Sequence, residues 1–164
     1  MIKDAIKHGY IILLNKCLEK ALTFGKNISK RSQMLVQITG ALRNLLNSED
    51  SMSRFSKSKV IPKLIQVLEQ FKGHKELMLN VSRILSKVSS DSECSKSLIQ
   101  TGKLNFLADL ISEMESLNSF IVRIGFVLAN LTTFFDEARE QVSMHISKII
   151  KVAITYFKKD AEVG

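Results

Sequence analysis

Leu42-Arg43-Asn44-Leu45 returns as Leu85-Ser86-Lys87-Val88 and again as Leu128-Ala129-Asn130-Leu131, each copy 43 residues after the last. Upstream of the block, Ile38, Val81 and Ile124 keep the same step. Between blocks, Leu64, Leu107 and Ile150 correspond, as do Leu68, Ile111 and Ile154, and Phe71, Met114 and Phe157. Within each copy the apolar residues fall on one face of a helix: Ile38, Ala41, Leu42 and Leu45; Val81, Ile84, Leu85 and Val88; Ile124, Val127, Leu128 and Leu131. A helical unit of this length cannot bury such a face alone, and recurrence at a fixed period means that it stacks on its neighbours. The chain therefore reads as all-α, an alpha-solenoid. Such a fold presents an extended surface to another macromolecule and does not enclose a substrate.

The segments between blocks complete the unit. Pro62 is expected to open a medium helix, where its missing N–H would be unpaired anyway, with Leu64, Val67, Leu68 and Phe71 on one face and Gly73 at its stop. Gly102 precedes the equivalent helix, with Leu107, Leu110, Ile111 and Met114 on its apolar face. Polar turns follow each block: Asn47-Ser48-Glu49-Asp50, Ser90-Asp91-Ser92-Glu93 and Thr133-Phe134-Phe135-Asp136. They predict caps for short helices over 51–58, 94–101 and 137–144. The whole chain, 1–164, is then one repeat domain with units at 33–58, 59–101 and 102–144. Residues 1–32 fit the period poorly and read as a degenerate first repeat or a cap, and 145–164 as an incomplete fourth repeat. Without a following long helix, Ile150, Ile154 and Phe157 are expected to form an apolar surface, as in a piece of a longer solenoid.

Charge is unevenly spread over a net +8. The first 102 residues hold 17 basic and 8 acidic side chains, while 103–141 hold 3 and 6. A basic front half suits acidic protein, nucleic acid or an anionic surface. Nucleic acid is the weaker fit, because aromatics are 7% of the chain and there is no Trp to stack bases. Membrane contact through Lys3, Lys7, Lys16 and Lys20 is weaker still, and no apolar run is long and clean enough to span a bilayer. Cys17 and Cys94 form no motif, and Cys94 is the period-mate of Ser51, so a reducing, cytoplasmic setting is expected. His8, His74 and His145 have no partners at metal spacing, and Glu113 and Glu115 point apart on a helix. No catalytic residue, metal or cofactor is expected, and the chain does not read as an enzyme.

At this point the residues resemble a known family. Three helices per unit, the opening Ile61-Pro62-Lys63-Leu64-Ile65-Gln66-Val67-Leu68, and the Leu-x-Asn-Leu stretches of Ala41-Leu42-Arg43-Asn44-Leu45 and Val127-Leu128-Ala129-Asn130-Leu131 are similar to the armadillo repeat, over roughly 33–157. The resemblance implies a right-handed alpha-alpha superhelix whose third helices line a concave groove, binding of an extended peptide or partner helix, and no catalysis. Import-receptor members carry Trp four residues before the groove Asn. Here Gly40, Arg83 and Phe126 stand there, and Lys87 replaces the middle Asn, so a basic import signal would be repelled. The phrase Val122-Arg123-Ile124-Gly125-Phe126-Val127-Leu128-Ala129-Asn130-Leu131-Thr132 resembles members associated with cilia and the axoneme. That likeness implies a cytoskeletal or ciliary assembly as an alternative setting.

Opposite the core face, each long helix carries a triplet at i, i+3, i+7: Gln37, Gly40, Asn44; Asn80, Arg83, Lys87; Arg123, Phe126, Asn130. Side chains at that spacing project together. Amides can pair with an extended peptide backbone, and Arg83, Lys87 and Arg123 would choose carboxylates. The expected partner is an acidic peptide or helix, held by a protein-interaction scaffold.

Overall fold

The computed structural model describes residues 9–25, 27–46, 49–114 and 116–163. Lys3, Lys7, His8, Asn47, Ser48 and Glu115 lie outside the described residues, as do the side chains of Glu49, Asp50 and Phe157. Among the described residues every regular element is helical: α1 (Tyr10–Thr23), α2 (Ile28–Leu45), α3 (Glu49–Lys57), α4 (Val60–Gln70), α5 (Lys75–Val88), α6 (Ser92–Gln100), α7 (Leu104–Glu113), α8 (Asn118–Phe134), α9 (Asp136–Val142), a 3-10 turn at Ser143–His145, and α10 (Ile146–Val163).

Three kinds of helix stack, each on its own kind. The long helices α2, α5 and α8 pack side by side, with α5 between the other two. The short helices α3 and α6 pack together, and the medium helices pair as α1 with α4 and α7 with α10. Leu42, Leu85 and Leu128 occupy equivalent places in one continuous apolar core, as the 43-residue step requires. Residues 10–23 do not look periodic in sequence, yet α1 packs on α2 as α4 packs on α5 and α7 on α8.

Local chemistry sets the boundaries. The medium helix begins at Val60, two residues before Pro62. Pro62 is then the third residue of the helix, where its missing N–H still has no intrahelical acceptor to lose. The residue before this helix, Lys59, sits in the left-handed region at φ 54, and its period-mate Gly102 has φ 62. The turn therefore asks for glycine, and only one copy supplies it. Asp91 caps α6 by accepting from the Cys94 backbone N–H at 2.9 Å, as the polar turn predicts. Its counterpart before α9 makes no side-chain cap, and Asp136 lies instead in the first turn.

Ion pairs join successive medium helices. Lys63 on α4 meets Glu19 on α1 at 2.7 Å, Lys103 ahead of α7 meets Glu69 on α4 at 2.9 Å, and Lys148 on α10 meets Asp109 on α7 at 2.7 Å. Lys72, just past α4, meets Glu113 at 2.8 Å. Such surface pairs add little to stability, so the stack rests on its apolar core. The pairs do consume much of the acid on this side. On α10, Ile150 and Ile154 are about half exposed while Ile149 and Val152 turn toward the core.

Candidate functional site

The three long helices bury their apolar faces, and what remains forms a second surface. On α5 the His74 imidazole accepts from the Leu77 N–H at the start, and Leu77, Met78, Val81, Ile84, Leu85 and Val88 are buried. Helical phase then sends Arg83 and Lys87 outward, and both are exposed. Gln37 and Asn44 on α2 and Phe126 on α8 are exposed too, while Arg123 and Asn130 are half-buried.

Asn80 departs from the expected stripe. It is only 5% exposed, and its amide is held inside the protein. Its Nδ2 donates to Thr39 Oγ1 at 3.4 Å, and its Oδ1 accepts from Arg43 Nη1 at 3.1 Å. The cause is the place of α5, which is covered on both flanks by α2 and α8. A polar residue on such a flank must find partners in its neighbours. Asn130 is partly engaged in the same manner, donating to Ser89 Oγ at 2.9 Å.

The buried amide brings in Arg43, a residue the stripe omitted. Its Nε and Nη2 also reach Asn44 Oδ1, both at 3.4 Å. Arg43 thus leans from α2 toward α5 and lies against neutral acceptors. Between these helices opens a cleft of about 670 Å³, whose lining includes Gln37, Arg43, Asn44, Lys75, Glu76 and Arg83. Glu76 is the single acidic side chain among the lining residues, against three cations. The sequence held one sign of Arg43, its charge inside the first copy of the block, but its period-mates Ser86 and Ala129 carry none.

Arg123 extends the cationic zone onto α8. Burial first, and the nearby charge of Arg83 second, hold its guanidinium below the usual range. Arg123 is anchored by Nη1 donating to the Ser119 carbonyl at 2.6 Å. Arg43, Arg83 and Arg123 therefore come from three successive long helices. Among the described residues, no ion pair pairs any of them with a carboxylate.

The other chemically notable groups are structural. Burial, then the hydrogen-bonded Asp91 carboxylate, pushes the Cys94 thiol up to about 12, which leaves it un-ionised and inert. Asp109 is held below the usual carboxylate range by its hydrogen bond to Lys148, with His145 at 3.3 Å adding to the effect. Among the described residues no cluster of His, Cys, Asp or Glu could hold a metal ion, and no helix is long and apolar enough to cross a membrane.

Comparison with known proteins bears on the same surface. No family model matches the chain, and no solved structure matches it. Armadillo repeat-containing protein 2 of Homo sapiens is 35% identical over 131 residues, which is 79% of this chain and 15% of that protein. The Bos taurus protein of that name is 31% identical over 156 residues, 93% of this chain and 18% of the relative. The Mus musculus protein is 29% identical over 147 residues, 89% and 17% respectively. The chain thus spans less than a fifth of the length of the curated relatives it matches. Along most of its own length it is similar to armadillo repeat-containing protein 2, and the armadillo-repeat resemblance carried by its recurring blocks is borne out.

Proposed function

We propose that this chain is a right-handed armadillo-type solenoid that acts as a protein-interaction scaffold, holding an acidic, extended or helical segment of a partner along the face of its three long helices. The observation that carries the reading is the cationic zone of Arg43, Arg83 and Arg123, contributed by successive helices, with Glu76 the one acid in the shared cleft and no ion pair to any of the three among the described residues. On the medium-helix side Lys63, Lys103 and Lys148 are each matched with an acid. Charge left uncompensated on one face of a repeat stack is what an acidic ligand would offset, and it would steer encounter as well.

The test is binding of Asp/Glu-rich synthetic peptides to the purified chain. Binding is expected to weaken as salt rises. Arg83→Glu with Lys87→Glu should lose it, by about tenfold if the contacts lie at a rim and by several hundredfold or more if they are buried. Lys3→Glu with Lys7→Glu is the control. If the control loses the peptide and the double reversal keeps it, the site is on the N-terminal basic segment and the reading fails. Equal competition by single-stranded nucleic acid would also overturn it.

A fixed place in a larger cytoskeletal or ciliary assembly is the competing reading. It is supported by the exposed apolar side chains Ile12, Leu13, Phe24 and Ile28 around α1 and the start of α2. That reading expects contact that salt does not weaken.

A further inference from the structure

The cations on the long-helix face are not equivalent to a spread of surface lysines. Arg43 donates three hydrogen bonds to two neutral oxygens, two to Asn44 Oδ1 and one to Asn80 Oδ1, and Asn80 is itself buried and tied to Thr39. Arg123 is fixed by the Ser119 carbonyl on its own helix. Arg83 stands between them on α5, lining the same cleft as Arg43 and close enough to Arg123 for the two charges to repel. Arg43 and Arg123 are therefore held by groups that bring no negative charge, and Arg83 stands exposed on the helix between theirs. Keeping like charges together costs free energy unless a ligand joins them.

A single carboxylate brings one charge and two oxygens. It can match one guanidinium fork and leaves the second unrelieved. A phosphomonoester brings roughly 1.5–2 negative charges and three acceptor oxygens, so one group can meet two guanidiniums at once. Lysines would serve either anion loosely, but arginine's planar fork suits bidentate contact with phosphate.

We propose that the cleft between α2 and α5, lined by Arg43 and Arg83, is a phosphoryl site: it recognises a phosphorylated serine or threonine within the acidic partner segment. The inference rests on the acidic-segment reading above. It adds a switch to it, since a kinase acting on the partner would set occupancy of the face.

The experiment uses the full chain and a set of Asp/Glu-rich twelve-residue synthetic peptides. Each is made in three forms, with serine, phosphoserine or glutamate at the central position, and affinity is read by fluorescence anisotropy. The phosphoserine form is expected to bind about tenfold or more tightly than the serine form, and more tightly than the glutamate form, since two guanidinium contacts are gained. Arg83→Gln with Lys75→Gln, both exposed cations of the cleft lining, should erase that preference while circular dichroism and melting stay those of the parent. If glutamate serves as well as phosphoserine, or if the preference survives the double substitution, the phosphoryl inference is overturned and the acidic-segment reading stands. If no acidic peptide binds in any form, both fall.

Discussion

Leu85→Ala tests the repeat register at its centre. Leu85 is fully buried on α5, and α5 is flanked by both α2 and α8 and backed by α4. Removing a buried leucine side chain costs the transfer of its lost groups plus a cavity, about 2.7–5.0 kcal/mol, and more where the walls cannot collapse. With packing on every side, the site can close little, so the upper half of that range, about 4 kcal/mol, is expected. A domain of this size loses about 2–4 °C of melting temperature per kcal/mol, which converts to roughly 8–16 °C. The period-mates offer an internal scale. Leu42 and Leu128 are also buried, but α2 and α8 each have a long helix on one flank only, so their truncations should cost less than that of Leu85. Guanidinium unfolding followed by circular dichroism measures all three. If Leu85→Ala melts within a degree of the parent, or if Leu42→Ala is the costliest, the stacking order is wrong.

Three further outcomes follow from single groups. Lys59→Gly should stabilise the chain by about 0.5–1 kcal/mol, because a side chain at φ 54 is strained where the period-mate is glycine; a loss of stability in thermal melts would refute the strain. Asp109 has a folded pKa below its unfolded one, so its contribution is present above the unfolded value and disappears as pH falls through the lower folded value. Asp109→Asn should remove that acid-side slope, and since the pair is partly exposed the effect stays within about 1 kcal/mol and shrinks in salt. Under iodoacetamide at pH 8, half-exposed Cys17 should be alkylated in the native chain while Cys94, with its thiol pushed up to about 12, reacts only on unfolding; equal rates would show that the α6 end opens readily.

The stack was legible in the sequence because its signal repeats. One apolar face says only that a helix packs somewhere, whereas three faces at one step specify what packs on what. α1 shows the limit. Subtracting the period from α4 would place its partner at 17–27, and the observed helix runs Tyr10–Thr23 instead. A helix displaced along the chain can still fill the same place in space when the connection to α2 takes up the difference, and no residue-by-residue step records that. Helix starts drifted for a related reason. Pro62 marks the first turn of α4 but not its first residue, since none of the first N–H groups has an intrahelical acceptor for the ring to remove.

The site was legible only where a side chain's angle on its own helix settles its fate. Arg83 and Lys87 lie on the side of α5 away from its buried apolar residues, and both stay exposed. Asn80 lies on the flank, where exposure depends on how close α2 comes, and its identity alone cannot separate a solvated amide from one paired with Thr39 and Arg43. Arg43 was missed because it stands one residue off the i, i+3, i+7 register and reaches across to the next helix. The residues that build the stack are those the period preserves: Leu42, Leu85, Leu128. Those that distinguish its surface are the ones it does not: Gly40, Arg83, Phe126, and Arg43, Ser86, Ala129. Stacking demands the same contact at each step, so consensus positions carry stability and say nothing of the partner. A ligand lying across three helices meets a different side chain on each. Its chemistry is therefore written in the departures from the repeat, and here the departures that cluster are arginines.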